Sequence, residues 1–321
     1  MGYNTSPVIY DINFALGKGK VLGIIGNSGS GKSTLIRCLT AQLVPLKGDC
    51  KVAGYTVRED PKKVQLSVGY VPQQEHLSIY YDFSPLQNAF FFGKNYGLEN
   101  SVIENRFHNI MDILGIGGDE YTQKAVKHLS SGEKKRVSIM IGLINRPDIL
   151  FLDEPTTGLD PHLRFDVLNF LSQINEKYDI TMVIVSHDLE IVDYCDKIAV
   201  LQAGCLVDFG DPHKKTQTLP NNGYALTVKF DKMNQKLEEK ITQLEEIKNF
   251  LHVGRNTFKI FIETEDVLEQ LFQKFNDMGL TILNKYLNSS TFLDYFRLHS
   301  LYTYPEKSKQ IKSNLHYPEE N

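Results

Sequence analysis

Apolar residues fall in short runs along this chain, separated by glycine-rich or polar segments. VLGIIG (21–26), VQLSVGYV (64–71), DILFLD (148–153), TMVIVSH (181–187) and KIAVLQAG (197–204) read as strands. Asp11-Ile12-Asn13-Phe14 reads as a further strand ahead of them. Helical patterns lie between the runs, with SGKSTLIRCLTAQL after the first strand and SVIENRFHNIMDIL within 85–115. Apolar strands that alternate with helices predict a mainly parallel sheet covered on both faces.

The pattern changes after about residue 216. YALTVKF (224–230) alternates as a strand does. DKMNQKLEEKITQLEE follows as a helix with Met233, Leu237, Ile241 and Leu244 on one face. NFLHV-GRN-TFKIFIE predicts a hairpin turning at Gly254-Arg255-Asn256. EDVLEQLFQKFNDMG is a second helix and TILNKYL a fourth strand. The order β-α-β-β-α-β is that of a ferredoxin-like α+β domain. STFLDYFRLHSL reads as a short closing helix, and the polar stretch after it as a loose tail. The expected organisation is an α/β domain over 1–216, a ferredoxin-like domain over 217–300 and a disordered tail over 301–321.

With 321 residues and 41% hydrophobic content, the chain can bury a core in each of two domains. The net charge of −4 speaks against a basic surface for nucleic acid. Cys38, Cys50, Cys195 and Cys205 show no C-x-x-C spacing or metal pattern and read as reduced thiols of a cytosolic protein. The first residues, MGYNTSPVIY, do not form a secretory signal. No apolar run approaches the roughly 20 residues that span a bilayer. Any membrane role must therefore come through a partner.

The chemistry starts at Gly26-Asn27-Ser28-Gly29-Ser30-Gly31-Lys32-Ser33, followed by Thr34, which fits G-x-x-x-x-G-K-[ST] after a strand and before a helix. In this P-loop the backbone N–H groups wrap phosphates, Lys32 reaches the β- and γ-phosphates of ATP, and Ser33 ligates Mg²⁺. DILFLDE is the matching acidic strand. Asp153 would hold Mg²⁺ through water, and Glu154 is placed to orient or deprotonate the attacking water. A second anion-binding helix start, LSSGEKKR, lies about a hundred residues downstream.

LSSGEKKRVSIMIGLINRPDILFLDEPTTGLDP (129–161) resembles the signature-to-D-loop segment of ABC-transporter ATPase subunits, and the likeness extends over roughly residues 3–215. Ser131 stands where the family usually has glycine, and Glu133 where it has glutamine. The resemblance implies an ABC ATPase domain with a helical subdomain. It assigns Gln73, with Gln74 as the alternative, to the loop that senses Mg²⁺ and the membrane partner. Asp160 becomes the D-loop acid, His187 in VIVSHDL the switch residue at the γ-phosphate, and Tyr3, or its rival Tyr10, the adenine-stacking aromatic. It further implies that Ser130, Ser131 and Gly132 of one subunit face the ATP held by Lys32 of another, so two subunits, identical or paralogous, share two sites. Lys134, Lys135 and Arg136 read as the solvated face of the next helix.

PLQNAFFFGKNYGL (85–98) and SSTFLDYFRLHSL (289–301) resemble segments of drug- and antibiotic-exporter ATPases. Phe90, Phe91 and Phe92 either line a groove for a permease helix or belong to the core of the helical subdomain. The implied protein is an exporter ATPase, peripheral on the cytoplasmic face of the membrane and bound to a transmembrane permease. An importer ATPase, a soluble ATP-driven clamp on ribosome or DNA, and a non-hydrolysing regulator remain alternatives. For 217–300, which lacks any phosphate-binding or metal-ligand cluster, a regulatory or dimer-stabilising role is expected.

Overall fold

Strands that are apolar on both faces must lie between two layers, and the pairing shows which runs meet. The computed structural model describes residues 7–115 and 122–314. The chain folds as two compact units, Met1–Phe209 with Gln310–Asn321, and Gly210–Lys309.

In the first unit, β1 (Val21–Ile25) leads through a loop into α1 (Lys32–Leu39). A hairpin of β2 (Lys51–Val52) and β3 (Tyr55–Thr56) follows, then α2 (Pro61–Ser67) and β4 (Val68–Val71). Next come α3 (Pro85–Asn95), α4 (Asn100–Ile113), α5 (Ser131–Leu143), β5 (Ile149–Asp153) and α6 (Pro161–Tyr178). β6 (Thr181–Ser186), β7 (Lys197–Gln202) and β8 (Cys205–Gly210) complete the unit.

The six-stranded sheet has the order β4-β5-β6-β1-β7-β8. The pairs from β4 to β7 are parallel. β7 reaches β8 through Ala203-Gly204, both at positive φ (48° and 83°), the geometry of a two-residue hairpin turn. Leu35 and Ile36 of α1 pack with Leu22, Ile24, Phe151, Val183 and Val185 of the sheet. α5 approaches β4 so closely that a Cβ on Gly69 would lie 2.0 Å from the Gly142 carbonyl oxygen. Glycine is required there by contact.

Two expected elements differ. VQLSVGYV is not one strand: its first four residues close α2, which Pro61 starts with a preset φ. In that helix Val64 is buried while Gln65 and Leu66 are exposed, so the strand begins only at Val68. Residues 11–14 keep an alternating burial pattern but form no strand. Tyr10 bridges Cys205, and Asp11 then turns to φ 46°, which takes the backbone off the ladder.

The second unit opens with α7 (Pro212–Thr216). Its sheet contains β9 (Tyr224–Phe230), β10 (Asn249–Gly254), β11 (Thr257–Phe261) and β12 (Ile282–Ser289). α8 (Gln235–Thr242) and α9 (Leu268–Asp277) are inserted in β-α-β-β-α-β order, and α10 (Phe292–Asn314) follows. The strand order is β10-β11-β9-β12, antiparallel throughout. Leu226, Val228 and Phe230 on one face of β9 meet Phe258, Ile260, Leu271 and Phe275. α8 is shorter than expected because Asn234 caps it, accepting from the Leu237 N–H at 3.0 Å. Met233, Leu237, Ile241 and Leu244 all pack on this core.

The segment 301–321 was expected to be loose, yet it is helical to Asn314 despite Pro305. Tyr304 anchors this stretch: it is buried and packs its ring near Phe296 and His299. The unit division also falls after Phe209, ahead of the expected boundary at 216.

Behind the sheet of the second unit lies a buried ion pair. Lys259 Nζ donates to Asp294 Oδ2 at 2.8 Å and to the Ser289 carbonyl at 3.2 Å, and Thr291 donates to the same carboxylate through its N–H and hydroxyl. Both side chains are under 10% exposed. Removing one partner strands a buried charge, whereas replacing both with apolar groups does not. Asp294→Ala is therefore expected to destabilise this unit by about 3–5 kcal/mol in urea unfolding. The double change Lys259→Met with Asp294→Leu should lose far less. Equal losses for the two variants would show that the pair does not act as a pair.

Candidate functional site

The parallel strands set the site at their carboxyl ends, where an open α/β sheet leaves a crevice. β1 ends at Ile25, buried throughout, and the chain turns at Gly26. A Cβ on Gly26 would lie 2.3 Å from the Leu201 carbonyl oxygen. Gly31 adopts φ 100° at the start of α1, and no side chain caps that helix. The first-turn N–H groups of α1, at Lys32, Ser33 and Thr34, have no acceptor within the helix. Ser30 Oγ is buried without a hydrogen-bond partner. Uncapped donors, an orphaned hydroxyl and an adjacent ammonium together fit a phosphate chain. Asn27, Ser28 and Gly29 form the exposed crown of the loop.

Lys32 Nζ donates to the Gly26 and Asn27 carbonyls at 2.7 and 3.1 Å. Burial lowers its pKa, and the charges of Glu154 and Asp153 oppose that shift. Asp153 ends β5 and is buried, so burial and then the charge of Glu154 raise its pKa. Tyr70 on β4 sits 3.5 Å from Asp153 Oδ2, and its hydroxyl is pushed up to about 12, mainly by burial. A cation beside Asp153 would relieve this acid. Ser33, Asp153 and Gln73 offer oxygen atoms of the kind Mg²⁺ takes, with phosphates and waters completing its shell. Gln73 and Gln74 are both exposed, and the Gln73 carbonyl accepts from Lys135 Nζ at 3.2 Å.

Glu154 is 7% exposed and holds φ 51°, unusual for a side chain of this size. Its Oε2 accepts from Thr157 Oγ1 at 3.1 Å, Ser186 Oγ at 3.3 Å and the His187 N–H at 3.4 Å. His187 Nδ1 lies 2.8 Å from the same oxygen, and its ring is largely exposed. Glu154 and His187, far apart in sequence, are thus brought into direct contact. Ser186 and Tyr70 were not picked out from sequence, and Thr157 only as part of the D-loop run that ends in Asp160. Ser186 adjoins His187 and could have been found that way.

At the second helix start, Ser130 and Glu133 form a reciprocal capping box. Glu133 Oε2 accepts from the Ser130 N–H at 2.7 Å, and Ser130 Oγ from the Glu133 N–H at 3.3 Å. The N–H groups of Ser131 and Gly132 lie in the first turn, where the helix has no acceptor for them. Among the described residues, no hydrogen bond or ion pair joins this turn to the loop 26–34. Asp160 stands at the N-cap of α6 but makes no side-chain cap. Its neighbour Arg164 links the Leu159 carbonyl to Asp188, beside His187.

The solvated face expected at 134–136 is not what forms. Lys135 is fully buried and paired with Glu75 at 2.7 Å. Arg136 donates to the Leu114 carbonyl and lies over the Phe170 ring. Lys134 is half-buried. The cause is α5 itself, which is enclosed by β4, α3 and α4 over most of its circumference. Phe91 is exposed, Phe90 and Phe92 are half-buried, and Phe91 and Phe92 form an aromatic cluster with Tyr80 and Phe83. Tyr3 lies outside the described residues. Tyr10 donates its hydroxyl to the Pro7 carbonyl at 2.7 Å and borders a cavity of about 1110 Å³. That cavity is lined by none of residues 26–34.

Known proteins resemble this chain over much of its length. A family profile described as ABC transporter matches residues 9–157. The linearmycin resistance ATP-binding protein of Bacillus subtilis (strain 168) is 31% identical over 209 residues, 65% of this chain and 66% of that protein. The methionine import ATP-binding protein of Staphylococcus haemolyticus (strain JCSC1435) is 30% identical over 280 residues, 85% of this chain and 80% of that one. Among solved structures, cbiO1 from Clostridium perfringens, described as part of the ABC transporter complex cbiONQ, has a TM-score of 0.61 at 31% identity, covering 66% of this chain and 86% of its own.

The contacts of Glu154 make it the group whose loss is most selective. Glu154→Gln should keep nucleotide binding, because Lys32 and the loop are untouched. Turnover should fall by a factor of order 10²–10⁴. Steady-state phosphate release alongside equilibrium nucleotide binding checks this, and near-normal turnover would remove Glu154 from the role.

Proposed function

The chain belongs to the ABC transporter family and is an ATP-hydrolysing subunit of that family, and on that premise we propose that it drives transport through a separate permease by ATP-dependent pairing of two subunits. One observation carries the pairing. The Ser131–Gly132 donors open from a pre-capped turn, yet the turn makes no bond to the phosphate loop of its own chain. A second subunit, identical or paralogous, placed head to tail supplies what each turn lacks.

In this reading the loop from Gly26 to Thr34 wraps the phosphates and Lys32 holds the β- and γ-phosphates. Ser33, Asp153 and Gln73 hold Mg²⁺, which neutralises charge on the phosphates when bound. Glu154 aligns the attacking water and takes its proton. His187, already hydrogen-bonded to Glu154, reaches the γ-phosphate from its exposed face. Ser130, Ser131, Gly132 and Asp160 complete the site from the other subunit. Contact between Glu154 and His187 favours turnover over a purely regulatory nucleotide site.

We place the subunit on the cytoplasmic face of the membrane, held there by its permease, on the strength of its family likeness. No described helix is long and apolar enough to cross a bilayer. Export is the favoured direction. It rests on the likeness of 85–98 and 289–301 to exporter ATPases and on the resistance relative. Import is the second reading, because the methionine-import relative matches over 85% of this chain. Residues 210–309 then serve to regulate or stabilise the pair.

Ser130→Arg tests the shared site when it is placed in the Glu154→Gln background. Glu154→Gln alone should form an ATP-dependent dimer by gel filtration. The double variant should bind ATP with unchanged affinity yet remain monomeric. A double variant that dimerises normally would reject sharing through this turn. For direction, disrupting the gene should raise sensitivity to an antibiotic and leave methionine uptake unchanged, and the opposite pattern would establish import.

A further inference from the structure

Lys135 stands out because its side chain has 0% exposure and yet carries a charge. An ammonium is expensive to bury unless its donors are matched. Here they are matched by one short segment: Glu75 Oε1 accepts at 2.7 Å and the Gln73 carbonyl at 3.2 Å. One turn further along α5, Ser138 Oγ lies 2.8 Å from Ser78 Oγ, both buried. Residues three apart share a helix face, so Lys135 and Ser138 grip the segment together.

The segment has little else to hold it. Gln73, Gln74, His76 and Leu77 are exposed, and Glu75 is half-buried. Pro72 lies before it, Ser78 is its buried last residue and Ile79 follows. No apolar side chain inside the turn anchors it, so its position follows the two polar ties to α5. α5 begins at the Ser130–Glu133 capping box. Lys135 therefore sits two residues past the turn that offers N–H groups to the partner's nucleotide, and it holds the backbone of Gln73.

We propose that Lys135 is a positioning residue that locks the 73–78 turn to α5, so that the glutamine loop and the signature turn move as one body. A displacement of either is carried to the other through Lys135 and the Ser138–Ser78 contact. The proposal rests on the shared-site reading above, because the signature turn acts on the other subunit's nucleotide.

Lys135→Met keeps most of the length of the side chain and removes the charge. It should bind ATP as the unaltered protein does, since no residue of the phosphate loop is changed. Its kcat should fall at least about 10-fold with KM for ATP little changed, the pattern of an interaction needed only in the closed state. Lys135→Arg should retain most activity. Rescue separates positioning from mere folding. Ser78→Cys with Ser138→Cys, in a Cys50→Ser background, places two thiols where the hydroxyls now touch. Oxidation with a low-molecular-weight disulfide should lock the turn to α5 and restore the kcat of the Lys135→Met protein several-fold, and reduction should remove the gain. A wild-type kcat for Lys135→Met, or a locked protein that gains nothing, overturns the proposal. ATP-dependent dimerisation of the Glu154→Gln protein, measured in parallel with Lys135 intact, reports on the shared-site reading by itself. Loss of dimerisation there indicts that reading and not Lys135.

Discussion

The register between β5 and β6 is the constraint on which the reactive edge depends. Asp153 lies opposite Val185, so Glu154 and the Ser186-His187 pair leave neighbouring strands at the same height. The Glu154 N–H then bonds the Val185 carbonyl at 2.8 Å, and the chain turns into left-handed backbone. For a non-glycine residue that conformation costs about 1–2 kcal/mol. Donors from Thr157, Ser186 and His187 on a single carboxylate oxygen offset it. A slip of one residue would turn alternate side chains to the other face and disperse the group. Strands buried at nearly every position resist such a slip, because both faces must repack.

Where local chemistry was decisive, the sequence could be read directly. Gly31, Lys32 and Ser33 follow a strand and open a helix, and only a glycine accepts φ 100° there without strain. The reading failed where a neighbour outweighed the local pattern. Val64 has strand-like company in VQLSVGYV, yet Pro61 starts a helix ahead of it. Tyr304 carries no signal in a polar stretch, yet its burial keeps 301–314 helical. Ala203-Gly204 was read as the end of the strand KIAVLQAG, although both residues form the turn into β8, and CLVDFG after it was not read as a strand.

Lys135 is the most instructive failure. In LSSGEKKR it is one of three adjacent cations, and such a run normally faces water. What reverses this is tertiary: α5 is walled in by β4, α3 and α4, and Glu75 reaches in from a segment far earlier in the chain. Nothing at Lys135 or at Glu75 alone announces the pair. Lys259 and Asp294 repeat the case in the second unit, with partners 35 positions apart. The first pair holds a segment with few apolar anchors of its own, the 73–78 turn, whereas the second ties down the start of α10, where Phe292 and Tyr295 are buried as well. Apolar packing is non-directional. A matched ion pair adds direction and so sets the place of a segment that packing leaves free.

The signature turn shows the same division between local and distant causes. Glu133 and Ser130 satisfy each other, which accounts for a glutamate as a capping partner and leaves the turn stable without a ligand. Their reciprocal bonds take up donors at the helix start, and the remaining pair, on Ser131 and Gly132, points out of the cap. Gly132 has Leu163 of α6 against the place a Cβ would fill, at 3.3 Å, so a larger residue there would press on the helix that follows Asp160. Ser131 is exposed and tolerates its side chain. The turn is thus capped, open on one side and, among the described residues, without an acceptor for these two N–H groups. Such an element does no chemistry alone. It becomes useful when an anion is brought to it by another molecule, and in the proposed pairing the phosphate loop of a second subunit would carry that anion.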